Sequence, residues 1–231
     1  MTRLNILSGG AAHGLVASLT PAFKAKTGFD ISGEFGAVGA MADKLRNGVA
    51  TDIIILTKAL IAKLADEKLV APSSITDIGL VETALAVRSA DPKVTVNHAG
   101  DLRAAFLAAD AIFVPDIKTS TAGIHVANVL AKLGIADEVA MRLKIYPNGA
   151  TAMRELAASS ATGPIGCTQS TEIIATKGVE LSGSLPGGCE LATMYTAGVT
   201  TGAAHAGEAQ TLIKLLTSVE ARQERVRAGF L

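Results

Sequence analysis

Tryptophan is absent from this 231-residue chain, and two tyrosines and six phenylalanines are its only aromatic residues. So few flat side chains argue against a surface on which nucleobases or sugar rings stack. Neither sign of charge is in excess. The 21 basic residues balance 21 acidic ones, leaving no electrostatic footprint for nucleic acid or an anionic membrane. No apolar run reaches the roughly 18 residues that span a bilayer, so membrane insertion is not expected. Cysteine is limited to Cys167 and Cys189, whose spacing suits no metal. A buried pair of unlinked thiols is preferred over a disulfide. The phosphate-loop pattern and the full Gly-x-Gly-x-x-Gly fingerprint are both missing, which excludes the usual nucleotide cradles. With no metal-ligand cluster and no nucleophile–base pair, no metal or organic cofactor is expected. Met1-Thr2-Arg3 leads straight into an apolar strand without a secretory signal. The expected location is cytoplasmic for the chain as written, and periplasmic if a leader has been removed.

What the chain does have is alternation. Leu4–Ser8 reads as a strand, and Leu15, Leu19, Ala22 and Phe23 recur at helical spacing until Gly28. Asp30–Phe35 is a second strand, and Val38, Met41 and Leu45 mark a second helix closed by Asn47-Gly48. Thr51–Leu56 (TDIIIL) is continuously apolar, as a strand covered on both faces should be. Such a β-α-β-α-β-α run predicts a parallel sheet with right-handed crossovers. Further strands are predicted at Ala84–Arg88, Ala111–Asp116, Gly163–Gln169 and Leu191–Thr196. Helices are predicted at Leu102–Leu107, around Val126–Leu133, around Met153–Leu156, at Glu208–Leu216 and at Val219–Ala228, with Ser218 placed to cap the last.

Four strand-to-helix junctions share one chemistry: Ser8-Gly9-Gly10-Ala11, Gly36-Ala37-Val38-Gly39, Lys118-Thr119-Ser120-Thr121-Ala122 and Asn148-Gly149-Ala150. Small or hydroxyl residues at a helix start leave unpaired amides and partial positive charge within reach of an anion. In open α/β sheets such junctions lie outside the carboxyl ends of the strands, where ligands bind.

The order of elements, the segment TGFDISGEFGAVGAMADKLRNGVATDIIIL and the tail LTSVEARQERVRAGF resemble the molybdate-type solute-binding proteins of ABC importers. The resemblance runs from about Leu4 to Phe230. It implies the type II periplasmic-binding-protein fold: two α/β lobes, two hinge crossings and a ligand held in the cleft between lobes. The lobes would comprise residues 1–82 plus 195–231, and residues 83–194. The family sets its oxyanion against helix-start amides and two serine hydroxyls. The matching positions here are Ala11 and the Ala37/Val38 pair, so both serines are replaced. A tyrosine that the family carries near the hinge falls at about Cys167 or Thr168.

The ligand-binding candidates are accordingly Gly9, Gly10, Ala11, Ala37, Val38, Lys118, Ser120, Thr121, His125, Asn148, Gly149 and Gln169. Two functions follow. One is binding of a small anion, an organic carboxylate rather than molybdate, with an ABC importer as partner if the protein is exported. The other, implied by aconitate-isomerase-type proteins resembling the same family, is a 1,3-proton shift on a small polycarboxylate. In that case His13 or Glu34 would be the base, with Lys118, Ser120 and Gln169 orienting the substrate.

Overall fold

The computed structural model of the protein describes residues 2–231. These form two compact units: the chain up to Val81 together with Thr193–Leu231, and Glu82–Ala192.

In the first unit β1 (Arg3–Gly9), β2 (Asp30–Gly36) and β3 (Ile53–Thr57) pair in parallel, β1 in the middle. A 3-10 turn at Gly10–Ala12 leads into α1 (His13–Thr27); α2 (Val38–Arg46) joins β2 to β3, and α3 (Lys58–Asp66) follows. α1 stops at Gly28, whose φ of 77° lies in the left-handed region that glycine occupies without steric cost. Ile53, Ile54, Ile55 and Leu56 are fully buried, so both faces of β3 are covered. Leu4, Leu15, Phe23, Ile61, Leu212 and Phe230 belong to the same core.

The chain enters the second unit within β4 (Thr76–Arg88) and returns at the first residues of β9 (Ala192–Val199). β9 runs antiparallel to β3, setting Tyr195 opposite Thr57 and Thr196 opposite Leu56. It also neighbours β4, where the Thr196 hydroxyl donates to Asp77 Oδ1 at 2.7 Å. The sheet is therefore mixed rather than parallel throughout, because the two crossing strands lie against the direction of their partners. β4 was expected only from Ala84 onward. Its first half mixes Thr, Asp, Gly and Glu with apolar residues and so carries no clean period of two.

The second unit holds β5 (Ile112–Pro115), β6 (Leu143–Tyr146), β7 (Ile165–Gln169) and β8 (Val179–Ser184) beside β4. β5 lies between β6 and β7 and is parallel to both, while β4 is antiparallel to β7 and β8. Its helices are α4 (Ala99–Ala108), α5 (Thr121–Lys132), α6 (Ala136–Val139), α7 (Gly149–Ala158) and α8 (Ser170–Ile174). Alternate strand residues enter different cores. Leu85, Ile112, Val114, Ile165 and Cys167 join one, and Ala84, Ala86, Ala111 and Phe113 the other. That alternation is what a sheet covered on both faces requires. Cys167 and Cys189 are both free and buried, and burial pushes the Cys167 thiol up to about 12.

The tail closes the first unit with α9 (Ala206–Thr217) and α10 (Arg222–Arg227). Ser218 does accept a backbone bond, from Ala221 N–H at 3.1 Å. It therefore secures the turn ahead of α10, which starts three residues later than the sequence pattern suggests.

Candidate functional site

In the first unit the carboxyl ends of three adjacent strands each open into a helix start. The register pairs Gly9 with Gly36 across β1 and β2, and Ser8 with Ile55 across β1 and β3. Gly10–Ala12, α2 and α3 thus begin side by side. None of the three starts has a side-chain cap, and Gly9, Ala37 and Thr57 stand at the cap positions. Ordinary caps satisfy these amides with a Ser, Thr, Asp or Asn oxygen. Here the amides of the first turns are left to an external acceptor or to water. Ala11, Ala37 and Val38 are buried, so they contribute backbone rather than side-chain chemistry.

Gly9 has a cause of its own. A Cβ there would lie 2.8 Å from Val38 Cγ1 and 2.9 Å from Tyr195 Cε1. Packing inside the unit is reason enough for glycine at this position. Gly10 is half-buried in the 3-10 turn that follows. Tyr195, which sequence reasoning passed over, is buried at this junction with its ring edge-on to Phe230, centroids 6.5 Å apart.

His13 opens α1 as an exposed residue, its ring centroid 4.6 Å from that of Phe35. Glu34 precedes Phe35 and therefore points to the opposite face of β2. Its exposed carboxylate is paired with Lys44. The structure places His13 beside the uncapped starts and does not bring Glu34 to it.

The second unit treats its junctions differently. At α7 the cap is complete: Asn148 Oδ1 accepts the Thr151 N–H at 2.8 Å. The remaining amides meet a carboxylate of the same chain. The N–H groups of Gly149, Ala150 and Gln169 donate to Glu172, and the Thr168 hydroxyl donates to its Oε2 at 2.6 Å. Burial pushes the Glu172 carboxyl up, and these four hydrogen bonds pull it back down. A Cβ at Gly149 would fall 1.9 Å from Glu172 Oε2, which is why glycine stands there. Asn148 and Gly149 were expected to bind the ligand, and this junction is instead filled from within. The buried acid was invisible in the sequence, where Ser170-Thr171-Glu172-Ile173 reads as an ordinary polar turn.

The start of α5 is partly filled in the same way. Asp116 Oδ1 accepts from the N–H groups of Lys118 and Thr119 at 2.8 and 2.7 Å and from the Thr119 hydroxyl at 2.9 Å. The two backbone bonds, then the hydroxyl, hold its carboxyl below the usual range. Ser120, at the cap position of α5, makes no capping bond, so Ser120 and Thr121 keep an open helix start while Lys118 is exposed. His125 is committed elsewhere, with Nε2 2.8 Å from the Cys189 carbonyl. Since a carbonyl only accepts, that nitrogen carries the proton.

Gln169 is the predicted residue with the most unusual surroundings. It is 3% exposed, and neither its Nε2 nor its Oε1 has a hydrogen-bond partner. The same holds for the hydroxyls of Thr83, directly across the β4–β7 ladder, and of Thr171, two residues on. In the first unit the Thr193 hydroxyl is likewise unpartnered.

A surface depression of about 230 Å³ lined by Val49, Thr51, Thr200 and Thr201 sits at the amino end of β3, away from the helix starts. Among the described residues, no group of three or more His, Cys, Asp and Glu could hold a metal ion. No helix there is long and apolar enough to cross a membrane.

The family model for bacterial extracellular solute-binding proteins matches residues 4–231. The periplasmic molybdate-binding protein of Azotobacter vinelandii superposes with a TM-score of 0.82 at 19% identity, over 99% of this chain and 98% of that one. The sulfate-binding protein SubI of Mycobacterium tuberculosis H37Rv superposes at 0.76 and 18% identity, over 100% and 86%. In sequence, an aconitate isomerase from Pseudomonas sp. is 24% identical over 232 aligned residues, 96% of this chain and 84% of that protein. The fold is the type II periplasmic-binding-protein fold.

Proposed function

Because the chain belongs to the bacterial extracellular solute-binding protein family, we propose that it binds a small anion at the uncapped helix starts of its first unit. We further propose that this anion is an organic carboxylate. The observation that carries the reading is the row of three neighbouring starts, at Gly10, Val38 and Lys58, with no side-chain cap on any of them. Amides and partial positive charge converge there, as anion binding requires. The choice of carboxylate rests on what is missing. Ala11 and the Ala37/Val38 pair stand where the resemblance calls for serine hydroxyls, so those two starts offer amides in place of hydroxyls. Two carboxylate oxygens match such a set better than the four oxygens of a tetrahedral metal oxyanion. On this reading the protein works outside the cytoplasm and delivers its solute to an ABC importer.

Titration calorimetry tests the reading directly. Di- and tricarboxylates should bind and raise the melting midpoint, because a ligand that prefers the folded chain stabilises it. Tight binding of molybdate or sulfate with no response to carboxylates would overturn the carboxylate assignment. Silence toward every anion would overturn the binding assignment itself.

His13 favours a second reading, isomerisation. It is an exposed imidazole on the first turn of α1, beside the same amides, in a chain similar to an aconitate isomerase. With the carboxylates held by amides, His13 would take a proton from the allylic carbon. The double bond would migrate, and the proton would return at the far end of the allyl unit, so no net proton is exchanged. Incubation with cis-aconitate, followed by proton NMR for the trans isomer, tests this reading.

A further inference from the structure

Gln169 ends β7, and Thr83 opposes it directly in the antiparallel ladder with β4, so their side chains leave the same face of the sheet. Thr171 follows in the first turn of α8. The three are 3%, 1% and 3% exposed, yet both polar atoms of the Gln169 amide and both threonine hydroxyls lack a partner within the chain. Buried polar groups are almost always hydrogen-bonded, and leaving them unmade is costly. Four such atoms, on the Thr83–Gln169 pair and on Thr171 two residues along the chain, call for an occupant rather than a local accident. Glu172, close in sequence, cannot serve them, since its carboxylate is taken up by Thr168 and three backbone amides.

The chemistry of these atoms restricts that occupant. Gln169 Nε2 and the two hydroxyls can donate, but Gln169 Oε1 can only accept, and exchanging the amide's O and N leaves the same inventory. A fully ionised oxyanion such as sulfate or molybdate brings acceptors alone, and would leave Oε1 unpaired. An ammonium group would seek a carboxylate, and the one nearby is closed. A hydroxyl fits: it donates once to Oε1 and accepts from Nε2 or a threonine. We infer that Gln169, Thr83 and Thr171 form a neutral subsite of the second unit that reads a hydroxyl group, making the ligand a hydroxy acid. The inference rests on the proposed binding of a carboxylate and narrows it.

Matched acids that differ by one hydroxyl separate the two claims. Malate and succinate, and citrate and tricarballylate, would be titrated calorimetrically into the wild type, Gln169→Leu and Thr83→Val, with sulfate and molybdate alongside. The hydroxylated member should bind the wild type roughly tenfold to a hundredfold more tightly, the usual penalty for stranding a buried acceptor. Gln169→Leu should bring that ratio to within about twofold. The melting midpoint of ligand-free Gln169→Leu should hold or rise, because an unpartnered amide is replaced by an apolar side chain of similar size. If that variant does not fold, Thr83→Val carries the test, with the same ratio expected to fall. Equal affinity for the members of each pair overturns the inference and leaves carboxylate binding intact, as does a preference that survives both substitutions. Failure of all four acids to bind overturns carboxylate binding, and the inference with it.

Discussion

The Thr168 hydroxyl donates to Glu172 Oε2 at 2.6 Å, which makes the carboxyl group of α8 the hydrogen-bond acceptor at the head of α7. The arrangement has a pH signature. Burial, the largest effect, raises the Glu172 carboxyl above its ordinary value of 4.5. A carboxyl raised on folding contributes stability that is complete below its unfolded value and is lost as pH climbs through the folded one. Glu172→Gln cannot lose a proton there. Its melting midpoint should therefore gain on the wild type as pH rises from about 4 to about 8, measured by scanning calorimetry. A difference that stays constant across that range would show that the folded carboxyl is not raised.

The same contact predicts a coupling. Gly149→Ala places a methyl group 1.9 Å from Glu172 Oε2 and 2.2 Å from Thr168 Oγ1, so one of the three groups must move. A cost of about 2–3 kcal/mol is expected from overpacking. In a Glu172→Ala background the first clash is gone, and the added cost should shrink by at least about 1 kcal/mol. Urea denaturation of the four proteins of this cycle measures it. Strict additivity would place the strain elsewhere.

Gly9 and Gly10 should separate packing from ligand contact. Gly9→Ala sets a Cβ against Val38 and Tyr195, and is expected to lower stability by about 1–3 kcal/mol without ligand. Gly10→Ala, in the half-buried turn that follows, should instead weaken carboxylate binding more than it lowers stability. Loss of one charge-assisted amide contact corresponds to about 1.5–3 kcal/mol, or roughly tenfold to a hundredfold in affinity. Calorimetric affinities set beside melting midpoints decide it. Should Gly10→Ala destabilise the free protein and spare affinity, the first junction is a packing device throughout.

These residues also show what could be read from the sequence. Gly28, the run Ile53–Leu56 and the helical spacing of Leu15 and Leu19 are local signals, and the strands and helices they mark stand where expected. β6 and α8, at four and five residues, are too short for periodicity to register. The helix starts were legible as chemistry, since small residues at four junctions do expose amides. Which amides stay free was not. Glu172 reaches Gly149 across a turn of the fold, and Asp116 folds back on Lys118 and Thr119. The Glu172 contact is fixed only by tertiary structure, whereas the Asp116 contact is a local turn within three residues. Thr83 and Gln169 likewise become neighbours through the register of β4 and β7, 86 residues apart in sequence.

His13 decides between the two functional readings. Its ring is exposed and packs at 4.6 Å against Phe35, so removing it opens no cavity in the core. His13→Ala should therefore fold normally, with a stability change within about 0.5 kcal/mol, as for other surface substitutions. If the protein only binds, the variant should hold di- and tricarboxylates within a few-fold of the wild type, because the amides of Gly10 to Ala12 are untouched. If it isomerises, wild-type turnover of cis-aconitate should be measurable and His13→Ala should lose at least about a hundredfold of it, the low end for a general base. Affinity would again change little, since the base acts on the proton rather than on the carboxylates. Turnover that persists in His13→Ala would remove this residue as the base. Glu34 would not inherit the role, because its carboxylate pairs with Lys44 on the other face of β2.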